Sequence, residues 1–308
     1  MSKFSLQNIL NPFKEIDLET FDVLEHRKLL SEYVSKHRFL KRKYQVVILA
    51  AGKGSRMSID YPKALYKLKY PYGKSTILKN TIKIIDSLKK SVFINKTFIV
   101  INELHKESYK NESFDESLNI ITLNDNEIRG TAVCINAIKK NLDTDKDIIF
   151  LWGDLALWRA ADLDLTIKIH ELCDSSISFP TRLSNSPYVA FVRSLEGKFD
   201  KVVHSNESKR WDGFAEQDCL SFVCAYTALS KLTNFIDKFN QENSKHKFEI
   251  DFIHYIPFLA SKGKNVIGVP IVELELLFGL NTIERANEIN HVLSRFTKKE
   301  YNNYFGLN

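Results

Sequence analysis

The stretch Val46 to Lys63, VVILAAGKGSRMSIDYPK, constrains this chain more than any other. Val46, Val47, Ile48 and Leu49 form a short apolar run rich in β-branched residues, the composition of a strand buried on both faces. Such a strand calls for a parallel sheet covered by helices, so the run sets an α/β architecture around itself. Ala50, Ala51, Gly52 and Gly54 leave the following backbone almost bare, which lets consecutive N–H groups turn toward an anion. Lys53 and Arg56 add two positive charges to the same loop. Pro62 then stiffens the chain ahead of Lys63, a third cation that can approach the anion from another side. Three cations on one loop imply a triphosphate. The loop is not a Walker P-loop, since no Gly-Lys-Ser/Thr closes it, nor is its spacing that of a G-x-G-x-x-G fingerprint.

Composition narrows the surroundings of this loop. The 308 residues are 44% apolar, enough for one elaborated domain with a large core. A net charge of +6 suits anionic small substrates and does not require nucleic acid. Cys134, Cys173, Cys219 and Cys224 form no C-x-x-C pair, which argues against a zinc knuckle or a disulfide frame and fits a reducing cytoplasm. The first residues lack the apolar core of a signal peptide, and no stretch approaches the roughly 20 apolar residues of a membrane span. A soluble, cytoplasmic protein is expected.

Residues 1–43 precede the motif strand as a helical extension, and 44–308 form the main domain. In the extension, Val23, Leu30, Tyr33, Val34 and His37 fall near one side of a helix between about Asp17 and Leu40. This side needs a partner surface, while the basic run Lys36 to Lys43 reads as a solvated face. After the loop, Ser75 caps a helix with Leu78, Ile82, Ile85 and Leu88 on one stripe. Phe98–Ile101, Asn119–Thr122 and Asp147–Leu151 read as buried strands, and their alternation with helices predicts a doubly wound parallel sheet. Ligands of such sheets lie beyond the carboxyl ends of the strands, where the glycine-rich loop already is. Gly130-Thr131-Ala132 opens a helix reaching about Asn141. The strand from Asp147 ends in Trp152-Gly153-Asp154, where Gly153 allows close approach of a ligand and Asp154 projects a carboxylate suited to magnesium on phosphate oxygens. On spacing alone, Asp154 serves equally well as a helix N-cap. Further strands are expected at 176–179, 188–193, 200–204, 220–227, 265–269 and 271–277. A helix is expected from Phe248 toward Ala260, and another capped by Thr282 with Ile283, Ala286, Ile289, Leu293 and Phe296 on one face.

Leu49 to Met57, followed by Pro62-Lys63-Ala64-Leu65, resembles the L-A-A-G-x-G-[ST]-R-M … P-K signature of the sugar-1-phosphate nucleotidyltransferases. The likeness extends to Gly130-Thr131, to Gly153-Asp154 and to Gly279-Leu280-Asn281, and so covers about Gln45 to Phe296. It implies a Rossmann-like, doubly wound, mostly parallel sheet of the nucleotidyltransferase type, here with an added N-terminal helical segment. It also implies the reaction of an NTP (UTP or CTP) with a phosphorylated sugar or alcohol, releasing pyrophosphate, of the kind that supplies surface polysaccharide or glycoconjugate precursors. Leu49, Ala50, Ala51, Gly52, Lys53, Gly54, Gly130 and Thr131 would then bind the nucleotide. Arg56 and Lys63 would be catalytic, and Asp154 with Asn281 would hold Mg2+. One of Asn124, Asp125 and Asn126 could reach the base edge. The chain departs from the family on the acceptor side: Pro187-Tyr188-Val189-Ala190 replaces a glycine-rich segment, and His204 or Glu207 stands where a glutamate is common. Those departures leave a CTP-dependent cytidylyltransferase acting on a phospho-alcohol as the alternative, with a non-catalytic regulatory relative as the non-enzyme reading. A glycosyltransferase is disfavoured, because Asp162-Leu163-Asp164 comes too late after the strand to be its metal motif. No hexapeptide repeat follows the C-terminal helix, so a second acetyltransferase activity is not expected. A homo-oligomer is compatible with the sequence.

Overall fold

A computed structural model describes residues 21–39, 42–52, 54, 57, 61–112, 118–205, 211–218, 221–242, 249–273 and 279–307. They group into two compact units, one from residues 41–164 and 275–308, the other from residues 1–40 and 165–274.

The first unit contains β1 (Lys43–Ala50), β2 (Lys67–Tyr70), β3 (Gly73–Thr76), β4 (Phe93–Asn102), β5 (Leu118–Leu123) and β6 (Asp147–Trp152). Four of these form a parallel array in the order β5-β4-β1-β6, with Val47 opposite Phe98 on one side and Phe150 on the other. The apolar run of β1 is explained by that central place: Val46, Val47 and Ile48 are fully buried, as are Ile99, Val100, Ile148, Ile149 and Phe150 on its neighbours. Each such side chain contributes roughly 1.5–3 kcal/mol, so the strand end that carries the loop is firmly anchored. The helix Ile77–Leu88 is capped by the hydroxyl of Thr76, one residue after the expected Ser75, and buries Ile84 where Ile82 was expected.

A second core in this unit joins Met57, Leu68, Tyr70, Ile77 and Leu280 to the helices Ile283–Ser294 and Lys298–Phe305. Thr282 caps the first of these as expected, its hydroxyl accepting from the Arg285 amide at 3.2 Å. Ala286, Ile289 and Leu293 are fully buried, but Ile283 is 41% exposed because it starts the first turn. The terminal helix was not anticipated. It is set by a capping box between Thr297 and Glu300 and held by buried Tyr301 and Phe305.

The other unit contains β7 (Ile177–Asn185), β8 (Val189–Arg193), β9 (Phe199–His204), β10 (Phe214–Asp218), β11 (Ser221–Cys224) and β12 (Val266–Pro270). Here the order β11-β7-β10-β8-β9 is antiparallel throughout, and β12 alone joins β7 in parallel. Phe179 sits among Phe191, Phe199 and Phe222, with ring centroids 5.1–5.3 Å away. A buried ion pair crosses the sheet: Glu216 accepts from the Arg193 guanidinium and from Thr181 Oγ1 at 2.9 Å, while Arg193 lies over the Phe199 ring at 4.0 Å. The segment expected as a strand from Ile271 is coil through Glu273, since Pro270 closes β12; residues 274–277 of that expectation lie outside the described residues. The helix Val23–Ser35 starts at Asp22, whose carboxylate accepts from the Leu24 and Glu25 amides. It lies against β12, buries His26, Leu30 and Val34, and pairs Arg27 with Glu273 at 3.7 Å. Residues 17–20 of its expected first turns lie outside the described residues, Phe21 and Asp22 precede the helix, and it ends at Ser35, short of the expected Leu40.

Candidate active site

The site is built where β1 and β6 end. β1 ends at Ala50, where the buried Tyr109 hydroxyl donates to the Ala50 carbonyl at 3.2 Å, fixing the point at which the loop departs. Gly52 faces open space, with no atom within 4 Å of where a Cβ would lie. Gly54 has φ +69, the left-handed conformation that glycine takes without strain, and its carbonyl accepts from the Met57 amide at 2.9 Å. Lys53 and Arg56, expected to carry the loop's charge, lie outside the described residues.

Gly153 has a packing reason to be glycine besides the ligand approach that its position suggests. Its amide donates to Leu49 O at 2.8 Å, and a Cβ there would come within 2.8 Å of Ala50 Cβ and 3.1 Å of Leu49 O. The bare position serves the contact between two strand ends. That contact places the next residue, Asp154, beside the start of the loop.

Two further ties converge on Asp154. Its carbonyl accepts from the Leu280 amide at 2.9 Å, and Leu155 forms an isolated antiparallel bridge with Gly279. These bonds lay the segment 279–281 alongside 154–155 and bring Asn281 to the carboxylate. Lys63 arrives from a third direction, at the start of the 3-10 turn Lys63–Leu65. Its position is held by buried Ala64 and Leu65 and by the Leu65 amide donating to Pro62 O at 2.9 Å. Lys63 Nζ donates to Asn281 Oδ1 at 2.8 Å and lies 3.7 Å from Asp154 Oδ2. Three residues named from the sequence as catalytic or metal-binding thus meet at one point.

Gly130, with φ +98, precedes the helix Thr131–Ile138 and offers no side chain to cap it. This helix start follows β5, so topology puts it at the same end of the parallel array as the loop. Of the residues expected to reach a base, Asn124 is engaged locally: its side chain accepts from the Asn126 amide at 3.0 Å within a capping box. Asp125 is engaged as well, accepting from the buried Asn102 at 3.2 Å. In the other unit His204 closes β9 and meets Tyr188 edge-on, with centroids 4.9 Å apart; Glu207 lies outside the described residues. Tyr109 is the contributor that sequence reasoning missed, because nothing in its short polar helix links it to a carbonyl 59 positions earlier.

The residues fit a hard divalent cation. Asp154 supplies a carboxylate oxygen and Asn281 an amide oxygen, and a positive ammonium already lies between them. Among the described residues no group of three His, Cys, Asp or Glu could hold a metal ion, so such a cation would take its other ligands from phosphate and water, as magnesium commonly does.

A parallel sheet carrying a bare-backbone loop and a cation-ready carboxylate at its carboxyl edge defines a class, the Rossmann-like nucleotide-handling α/β proteins. Within it, the chain belongs to the MobA-like NTP transferase domain family, whose model matches residues 46–218. The bifunctional protein GlmU of Buchnera aphidicola is 28% identical over 278 residues, covering 86% of this chain and 56% of that protein. GlmU of Thermodesulfovibrio yellowstonii is 28% identical over 240 residues, covering 77% and 49%. The chain therefore spans about half the length of these curated relatives. Among solved structures, a putative glucose-1-phosphate thymidylyltransferase from Bacillus anthracis superposes with a TM-score of 0.62 at 12% identity, over 84% of this chain and 99% of that one. A UDP-glucose pyrophosphorylase complexed with UDP-glucose gives 0.60 at 11% identity, over 83% and 99%. These likenesses show the fold: a sheet with helices around it, of the nucleotidyltransferase type. The resemblance read from the motif residues stands. Among the described residues no helix is long and apolar enough to cross a membrane.

Proposed function

We infer that the chain is a Mg2+-dependent nucleotidyltransferase joining an NTP, UTP or CTP, to a sugar 1-phosphate and releasing pyrophosphate. It would act in the cytoplasm on precursors of surface polysaccharide or glycoconjugate. The observation that carries this reading is the meeting of Lys63, Asp154 and Asn281, residues remote in sequence, beside the bare loop at the end of β1. The names of the relatives and of the structural neighbours support it.

In this reading an acceptor phosphate oxygen attacks the α-phosphorus in line. A P–O bond forms as the bond to the bridging oxygen of the β-phosphate breaks, and pyrophosphate leaves with the electron pair. A phosphate monoester is already nucleophilic near neutral pH, so no protein nucleophile is needed; the barrier is charge repulsion and misorientation. Lys63 holds the acceptor phosphate beside the α-phosphate. The loop amides, with Lys53 and Arg56, take the departing pyrophosphate. Asp154 and Asn281 would hold the magnesium ion, which when bound would neutralise charge on the phosphates. Residues 44–308 act as the catalytic domain and 1–43 as a helical extension.

The test is pyrophosphate release by the purified chain from each of four NTPs, against a panel of sugar 1-phosphates and phospho-alcohols. Turnover with a sugar 1-phosphate is expected, lowered by roughly a hundredfold or more in kcat/KM by Lys63→Ala. Release only with CTP and a phospho-alcohol would move the chain to that neighbouring chemistry. No release with any pair would refute the enzyme reading.

A further inference from the structure

We propose that the Lys63 ammonium and the divalent cation occupy the same place between Asp154 and Asn281 in turn, and that an arriving polyphosphate drives the exchange. The inference rests on the metal assignment above and adds an order of binding to it. Lys63 Nζ is 2.8 Å from Asn281 Oδ1 and 3.7 Å from Asp154 Oδ2, the two oxygens assigned to the metal. A magnesium ion ligated by both, with bonds of roughly 2.0–2.1 Å, would compete for the space beside these oxygens that Nζ now fills. Even displaced by a few ångströms, an ammonium and a divalent ion repel strongly in a partly desolvated pocket; the Lys63 side chain is only 12% exposed. The two cations therefore compete for these oxygens.

The geometry makes the exchange easy for one partner. The backbone of Lys63 is fixed by its 3-10 turn and by buried Ala64 and Leu65, while its four-carbon stem can swing without disturbing them. A polyphosphate changes the balance because it brings acceptor oxygens and negative charge for both cations. Lys63 can then leave Asp154 for phosphate, and the vacated oxygens can take the metal. Without polyphosphate, Lys63 shields the carboxylate from free divalent ions. With it, the lysine is delivered to phosphate by the same event that loads the metal.

The experiment titrates Mn2+ alone into the full chain and follows the free-ion signal by electron paramagnetic resonance, with melting curves as the check of folding. Lys63→Met and Lys63→Gln should each bind Mn2+ about tenfold tighter than the wild type, since a competing positive charge is gone. Adding Asp154→Asn to Lys63→Met should abolish that binding. With the chelation of Mn2+ by pyrophosphate measured without protein and subtracted, inorganic pyrophosphate should tighten Mn2+ binding more in the wild type than in Lys63→Met. If both neutral variants bind Mn2+ no tighter than wild type while Asp154→Asn still weakens it, the exchange is wrong and the metal assignment survives. If Asp154→Asn leaves Mn2+ binding intact, the metal assignment fails and the exchange fails with it.

Discussion

Gly153→Ala separates two explanations of a glycine that sequence alone assigns to a ligand. The added methyl carbon would sit 2.8 Å from Ala50 Cβ and 3.1 Å from both Ala50 Cα and Leu49 O. Carbon atoms in contact prefer roughly 3.5–4.0 Å, so the ends of β1 and β6 would have to part by about 1 Å. Two of the three clashing atoms are backbone, which no rotamer change can relieve. Overpacking of this kind costs about 1–3 kcal/mol. Parting the strands also stretches the 2.8 Å bond from the Gly153 amide to Leu49 O, at about 1 kcal/mol more. The expected loss is thus about 2–4 kcal/mol, a fall in Tm of about 3–6 °C for 308 residues. Differential scanning calorimetry would measure it, and kcat/KM should fall as well, because Asp154 moves with the strand end. A variant melting within about 1 °C of wild type, with only its KM raised, would refute the packing argument and restore ligand approach as the reason for the glycine.

The remaining predictions concern groups buried in the other unit. Glu216→Ala should destabilise the chain by about 2–4 kcal/mol in urea titration, since it removes the buried carboxylate that faces the Arg193 guanidinium and leaves Thr181 Oγ1 without its acceptor; a loss under about 1 kcal/mol would show that the pair is not relied upon. His26, 6% exposed and beside the Phe21 ring at 5.0 Å, has its pKa lowered by burial to about 4 from the ordinary 6.5. The unfolded chain therefore takes up this proton first as pH falls, so stability present above about pH 6.5 is lost progressively down to about pH 4, by up to about 3 kcal/mol. His26→Phe should flatten that part of the Tm-against-pH curve, and an unchanged slope would show that His26 does not set it.

What was legible in the sequence follows from how local its causes are. β1, β4 and β6 could be read because strands buried on both faces must be apolar without interruption, and the three cores 46–49, 98–101 and 148–151 are. β10 could not: FAEQD carries a glutamate in the middle of a strand, and what makes Glu216 tolerable there is Arg193, 23 positions away on β8. The terminal helix Lys298–Phe305 is mostly polar, and its two buried anchors gain meaning only against the core that Leu280 and Ile289 provide. The candidate site shows the same division. Lys63 and Asp154 each follow a local signal, a proline in one case and the end of a strand in the other. Asn281 has no such physical signal in its neighbours and is named only through the likeness of Gly279-Leu280-Asn281 to the family. Its place depends on the bridge from Leu155 to Gly279 and on the Leu280 amide bonded to Asp154 O, contacts across 124 and 126 positions that no local pattern announces. The backbone thus aligns two distant segments before any side chain acts, and the lysine's contact with both is a consequence of that alignment. A change that breaks the bridge at Gly279 would therefore disperse Asn281 from Asp154 while leaving every chemically reactive group in the sequence unchanged.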